Sequence, residues 1–402
     1  MKSKFLSIRT VRDENVCGKR VLVRVDFNVP LQHGTVADDL RIRAALPTVN
    51  YLLERRATVI LCSHLGRPGG TVVESLRLKP IAKVLEEILG RPVQYLPDCV
   101  GPEVDRAIEQ SVPGDILLLE NTRFHSAEEE NGHFFAAQLA KHCDLYVNDA
   151  FGSAHRAHAS TEGVAHHVPA VAGLLLEHEF SVLALALKQP RRPLVAIFGG
   201  AKVGGKIGAL DRLSEVADVI LVAGGLGHTI LAAHGIQTGD SLAEISQVKT
   251  ADHIRQRAAG KLVLPVDAIV MDPNHPEAQP QHVAIDSVPT GWRIADIGPE
   301  TVKLFQQRLQ GARTVIWNGT LGICEDDRFS SGSRAVAETI VQLDALTLAG
   351  GGDTAAALRK FNLHERFTHI STGGGAFLQL LEGSPLPAVA ALDPERAMAA
   401  TG

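Results

Sequence analysis

Along the chain, short runs of consecutive aliphatic residues alternate with longer segments whose apolar positions recur every three or four residues. The first kind of run suits strands buried on both faces of a sheet, and the second suits helices laid on it. In the first half this pattern predicts strands over 20–26 (RVLVRVD), 58–62 (TVILC), 92–96, 115–120 (DILLLE) and 145–149 (LYVND), with helices over 44–54 and 80–89. In the second half it predicts strands over 194–198 (LVAIF), 219–223 (VILVA), 261–266 (KLVLPV) and 313–316 (RTVI), and short apolar runs at 346–349 and 369–370. Between the halves, residues 174–188 carry Leu176, Phe180, Leu183 and Leu187 on related turns of one amphipathic helix. Gln189-Pro190-Arg191-Arg192-Pro193 ends that helix, so it reads as a joint between two domains followed by a stiff linker.

Each of the last two apolar runs leads into a glycine-rich turn. Gly350-Gly351-Gly352-Asp353-Thr354 and Ser371-Thr372-Gly373-Gly374-Gly375-Ala376 both pass from a strand into a helix pattern, which points backbone N–H groups at an anion. Asp353 and Thr354 add oxygen donors suited to a hard cation such as Mg²⁺. A single turn of this kind is equally explained by glycines that let a helix pack closely on a sheet. A third turn, 199–207, reads G-x-x-x-x-G-K from Gly200, but Ile207 stands where a P-loop needs Ser or Thr, so a Walker-type site is excluded. The run Gly224-Gly225-Leu226-Gly227 is not a dinucleotide fingerprint.

Composition narrows the picture. At 402 residues the chain exceeds a single core, and 45% apolar content with 37 glycines fits a glycine-turned α/β protein. Aromatics are 4%, so the core is aliphatic. A net charge of −5 disfavours nucleic acid or an anionic membrane as partner. Five scattered cysteines without a CxxC pair read as free thiols in a reducing cytosol, and no apolar run reaches the length of a membrane span. A cytoplasmic protein is expected.

The charge is uneven, however. Predicted strand ends in the first half deliver His64, Arg67, Arg123 and Arg156, with Asp26 and Asn28 at another and Arg41 near the start of a helix. One cationic loop could be chance. Repetition at strand ends points to a small, multiply charged anion. His155 and His158 could form a metal pair, but no third ligand stands at a telling spacing.

Together these segments resemble the phosphoglycerate kinase family over nearly the whole chain. Residues 24–30 (RVDFNVP), 38–48 (DDLRIRAALPT), 63–68 (SHLGRP), 118–124 (LLENTRF) and 148–160 (NDAFGSAHRAHAS) resemble its N-domain motifs. Residues 199–207 (GGAKVGGKI), 296–301 (DIGPET), the WNG at 317–319 with Glu325, 349–354 (AGGGDT) and 371–378 (STGGGAFL) resemble its C-domain motifs. The resemblance implies an α/β fold of two similar-sized domains with parallel-sheet, doubly wound cores joined by a helix. The expected division is 1–173 for the phosphoglycerate domain, 174–190 for the joining helix, 191–385 for the nucleotide domain and 386–402 for a return to the first domain.

It further implies a reversible, Mg²⁺-dependent phosphoryl transfer between 1,3-bisphosphoglycerate and ADP, giving 3-phosphoglycerate and ATP in a monomer. Asp26, Asn28, Arg41, His64, Arg67, Arg123 and Arg156 would hold the triose. Lys202, Lys206, Gly225, Glu325, Gly351, Gly352, Asp353 and Thr354 would hold the nucleotide, with Asp353 serving the metal. Arg41, Lys206, Gly374 and Gly375 would act on the phosphoryl in transit. The chain departs from the family's pattern at 223–228 (AGGLGH) and, with Thr320 and Cys324, at 317–325 (WNGTLGICE), both on the nucleoside side. Two rival classes remain: another ATP-dependent carboxylate kinase, and a non-catalytic paralogue.

Overall fold

The computed structural model describes residues 8–258 and 260–392. They form two compact units, one ending at Ser181 and taking up the chain again from Pro385, the other Val182–Ser384. The helix Leu174–Lys188 runs from the first unit into the second.

The first unit is built on a six-stranded parallel sheet. Its order is Gln94–Tyr95, Ile116–Leu118, Thr58–Cys62, Arg20–Arg24, Leu145–Asn148, Ala170–Ala172. The earliest strand, Arg20–Arg24, is therefore central. Both neighbours, Thr58–Cys62 and Leu145–Asn148, come later in the chain and lie on opposite sides of it, so the strand order reverses there, and ligands of open α/β sheets settle beyond strand ends at such a reversal. Val21, Val23, Val59, Leu61 and Val147 pack the core with Ile42, Val49 and Leu52 of the helix Leu40–Glu54. That helix begins four residues before the expected start, and Pro47 lies inside it. Asp149 accepts the Leu175 and Leu176 N–H groups at 2.9 and 3.3 Å, which anchors the start of the helix Leu174–Lys188. A side chain at Gly173 would put Cβ 2.1 Å from Asp149 Oδ1, so this corner needs glycine. The Ala388 N–H bonds to the Ala154 carbonyl at 3.2 Å, tying the short helix Pro387–Ala390 to the same unit.

The second unit repeats the plan. Its parallel sheet runs Leu262–Val263, Val219–Val222, Leu194–Phe198, Thr314–Asn318, Leu346–Gly350, His369–Ile370. In chain order this is 3-2-1-4-5-6, with the reversal between Leu194–Phe198 and Thr314–Asn318. The strand expected over 261–266 shortens to Leu262–Val263, consistent with Pro265 lacking the N–H a ladder needs. The next segment, Asp267–Met271, joins a separate antiparallel sheet with Gln281–Ala284 and Arg293–Ile297. Nothing in the apolar pattern announces that sheet, because three of the four residues in Gln281–Ala284 are exposed.

Asp296, fully buried at the end of this sheet, accepts the Ile297 and Gly332 N–H groups at 2.9 and 2.8 Å. Burial pushes its carboxyl up to about 7, while an unfolded aspartate titrates near ~3.9. The folded state thus holds the extra proton, and stability falls as pH rises from about 4 to about 7. Asp149, pushed up to about 6 by burial, contributes in the same direction. Asp296→Asn is expected to shrink the loss in unfolding free energy between pH 4.5 and 8 by on the order of 1–4 kcal/mol, read by urea titration. An unchanged slope would remove Asp296 as its source.

Candidate active site

In the first unit, the ends of the central strands gather a cationic pocket around one carboxylate. Asp26 Oδ1 lies 3.2 Å from Arg41 Nη1, which also donates to the Asn28 carbonyl at 3.1 Å. Asn28 Oδ1 accepts the Gly66 N–H at 2.9 Å, holding the SHLGRP loop against the DFN turn. Asn121 braces the same loop, accepting the Leu65 N–H at 3.1 Å and donating to the Leu65 carbonyl at 2.7 Å. Arg123, 3% exposed, donates to the Gly66 carbonyl at 2.8 Å, and its Nε lies 3.1 Å from Glu129. Arg156 is held below its ordinary range by burial and then by neighbouring Arg67.

The histidines report the local field. His64 is buried and is pushed well below 6.5, first by burial and then by Arg24, Arg156, Arg41 and His158. His158 falls to about 4, by burial and then Arg156 and Arg24. These rings are neutral at pH 7 because burial disfavours the imidazolium, and the pocket's neighbouring guanidinium charges add to that. Such a pocket suits a polyanion. The structure thus brings Asp26, Asn28, Arg41, His64 and Arg123 into one bonded neighbourhood, with Arg67 and Arg156 within electrostatic reach. Among the described residues, His155 and His158 gather no third metal ligand. Among the described residues, the group that places three ligand atoms together is Asp98, Cys99 and His125, where His125 Nε2 and Asp98 Oδ1 are hydrogen-bonded at 2.7 Å.

In the second unit, the glycine turns meet at the strand reversal. Gly199 donates to the Asn318 carbonyl at 3.0 Å, and Gly200 to the Thr320 carbonyl at 2.6 Å. A Cβ at Gly319 would sit 2.2 Å from the Gly199 carbonyl oxygen, and the residue has φ +94°, so only glycine fits. Gly225 donates to the Gly200 carbonyl at 2.9 Å, which stacks the 224–227 turn on the 199–200 turn. The two turns near the end of the chain also touch: a Cβ on Gly374 would lie 3.1 Å from Gly351 Cα. The helices Gly352–Lys360 and Gly374–Leu381 therefore start side by side, with their positive ends together.

Lys206 is buried, and its ammonium donates to the Gly199 carbonyl. Burial lowers it to about 8, against the pull of Asp353. Thr354 is 1% exposed and its hydroxyl accepts the Gly319 N–H at 2.8 Å, so it holds the WNG turn in place. Lys202 is exposed on the loop. A cavity of about 400 Å³ opens beside these groups, lined by Gly200, Gly225, His228, Arg293, Glu325 and Asp353 among others. Asp353 beside space for phosphate oxygens is a donor set that suits Mg²⁺, which binds through one or two carboxylates and keeps water and substrate oxygens as its other ligands. His228 ends the 223–228 segment expected on the nucleoside side, whereas nothing in the sequence singles out Arg293 as a lining residue. His228 Nδ1 lies 3.2 Å from the Leu242 carbonyl, a partner set only by the fold. Glu128, buried, is a site support that no local motif announces, and Arg24, which opens the 24–30 motif, is a buried support whose role the motif does not give.

A doubly wound sheet in each unit, one ending in a polyanion pocket and the other in converging glycine turns with a buried lysine, defines a phosphoryl-transfer enzyme of the two-domain α/β kind. The family model for phosphoglycerate kinase matches residues 11–384. A phosphoglycerate kinase of Moorella thermoacetica is 52% identical over 386 residues, covering 95% of this chain and 98% of that relative. One from Rippkaea orientalis is 50% identical, covering 96% and 98%. The solved phosphoglycerate kinase of Coxiella burnetii is 40% identical, with a TM-score of 0.86 over 97% of this chain and 100% of its own. The chain belongs to the phosphoglycerate kinase family.

Proposed function

We propose that the chain catalyses Mg²⁺-dependent, reversible phosphoryl transfer between 1,3-bisphosphoglycerate and ADP, yielding 3-phosphoglycerate and ATP. The observation that carries this reading is the pocket in which Arg41 is held by Asp26 and the Asn28 carbonyl, and Arg123 by the Gly66 carbonyl, at the ends of the central strands. In this reading Asp26, Asn28, Arg41, His64, Arg67, Arg123 and Arg156 hold the triose phosphate. Gly225, Glu325 and the 351–354 turn hold the nucleotide, with Lys202 and Lys206 on its phosphates. Asp353 holds the Mg²⁺, which when bound neutralises phosphate charge. The N-termini at Gly374 and Gly375 receive the phosphoryl in flight.

Both substrates bring their own attacking oxygen, so no general base and no covalent intermediate are needed. The triose pocket and the nucleotide cavity lie in different units. Transfer therefore waits for the units to close, which also keeps water from the acyl phosphate. The free cysteines fit a reducing cytoplasm, and we take the active form as a monomer.

The test is formation of 1,3-bisphosphoglycerate from 3-phosphoglycerate with Mg-ATP and Mg-GTP side by side, by coupled assay. The expected result is 3-phosphoglycerate-dependent nucleotide turnover, with the ratio of the two rates reporting the altered nucleoside wall. Turnover with another carboxylate but not 3-phosphoglycerate would point to the rival kinase class. No turnover with intact nucleotide binding would point to a non-catalytic relative.

A further inference from the structure

Behind the triose pocket lies a chain of buried polar groups whose hydrogen bonds have only one possible direction. Glu128 is fully buried and accepts three bonds: the Ser160 N–H at 2.9 Å, the Ser160 hydroxyl at 2.6 Å and the Thr122 hydroxyl at 3.2 Å. Ser160 Oγ, having spent its proton on the carboxylate, accepts from Arg24 Nε at 2.8 Å. Arg24, 1% exposed, also donates through Nη1 to the Val25 carbonyl. Its Nη2 lies 3.0 Å from His64 Nδ1. A guanidinium has five donors and no acceptor. His64 Nδ1 must therefore be the acceptor in this contact and carries no proton.

We infer that Arg24, held by Ser160 and Glu128, is a positioning residue that fixes His64 as the neutral tautomer with its proton on Nε2. Among the described residues, the ring's one hydrogen bond is that to Arg24. Nε2–H is left to donate to an oxygen of the bound anion. An imidazolium would set its Nδ1–H against the Arg24 N–H, with Arg41, Arg156 and His158 adding to the cationic field. His64 thus contributes direction and a hydrogen bond rather than charge, while the arginines supply the charge. This inference rests on the triose-phosphate reading of the pocket for the ligand, but the tautomer itself is a property of the free protein.

The experiment is a long-range ¹H–¹⁵N correlation on the full chain with ¹⁵N-labelled histidine, without ligand, from pH 5.5 to 8. The expected spectrum has His64 Nδ1 unprotonated and Nε2 protonated throughout. Arg24→Met is expected to let the ring titrate or exchange tautomers and to weaken 3-phosphoglycerate binding by ~10-fold or more in calorimetry. Arg24→Lys, again a pure donor, restores the unprotonated Nδ1 signal. If Arg24→Met does not fold, Ser160→Ala, which removes the hydroxyl linking Arg24 to Glu128 and keeps the Arg24 guanidinium, shifts both readouts the same way by a smaller amount. A protonated Nδ1, or a His64 that titrates in the wild type across this range, overturns the inference. So does an altered tautomer with binding unchanged within twofold. If the wild type shows the tautomer yet binds no 3-phosphoglycerate, the anion assignment fails and the Arg24–His64 device stands.

Discussion

Replacing Arg41 with lysine is expected to lower kcat by about 10³, with the KM for 3-phosphoglycerate moving by less than tenfold. Arg41 Nη1 is engaged by Asp26 Oδ1 at 3.2 Å and the Asn28 carbonyl at 3.1 Å. That contact fixes one corner of a rigid plane, and so fixes where the remaining N–H groups of the guanidinium point. In the proposed reaction, negative charge spreads over the equatorial oxygens of the transferring phosphoryl. A guanidinium, with five donors spread over three nitrogens, can meet those oxygens while keeping the Asp26 carboxylate. A lysine ammonium gathers its donors on one atom, so it keeps the Asp26 pair or follows the phosphoryl, but not both.

The charge is conserved in Arg41→Lys, so ground-state attraction for the triose survives and the loss falls on kcat. Stability is a weak confounder, because the Arg41–Asp26 pair is partly exposed and such pairs contribute ~1 kcal/mol or less. Steady-state kinetics with a urea titration as control decides the matter. A variant within a few-fold of wild-type turnover removes Arg41 from the transfer step.

What the chain reveals before folding depends on how local each cause is. Thr58–Cys62 and Leu194–Phe198 are wholly buried strands in which every residue but Thr58 is apolar, so they are legible in the sequence. The glycine turns are legible too, since Gly319 and Gly351 adopt φ of +94° and +98° that other residues avoid. The resemblance places the candidate residues, because family motifs are local in sequence. Contacts between distant residues stay hidden. Ser160 lies 136 residues from Arg24 and 32 from Glu128, and neither gap carries a periodic signal. Arg24 and Arg67 look alike in sequence, yet Arg24 is sealed at 1% exposure and Arg67 is not among the buried residues. The sheet around Asp267–Met271 escapes the apolar pattern because its edge strand Gln281–Ala284 has no buried face to impose alternation. Thr354 reads as a cation donor from its neighbour Asp353, and only the fold shows that its hydroxyl also accepts the Gly319 N–H.

Asp353→Ala is expected to weaken Mg-ADP binding by at least about 100-fold and to abolish most of the thermal stabilisation that Mg-ADP confers. Asp353 stands at the first turn of the helix Gly352–Lys360 and lines the cavity. In the proposed site it is the protein carboxylate for Mg²⁺, so alanine leaves the metal with phosphate and water ligands alone. A second effect comes from the lysine beside it. Burial lowers Lys206 to about 8, and Asp353 opposes that fall. Without the carboxylate, Lys206 drops further and loses its proton over a lower pH range. Nucleotide without metal should then bind the variant with an affinity that declines as pH rises from 7 to 8.5, more steeply than in the wild type. The neutral amine form offers no charge to a phosphate. Calorimetric titrations with ADP at pH 6.5 and 8.5, with and without Mg²⁺, separate the two effects. Loss confined to the Mg²⁺ arm at both pH values leaves Asp353 as a metal ligand alone. Unchanged Mg-ADP affinity would falsify the nucleotide assignment of the whole turn, because no other carboxylate stands within it.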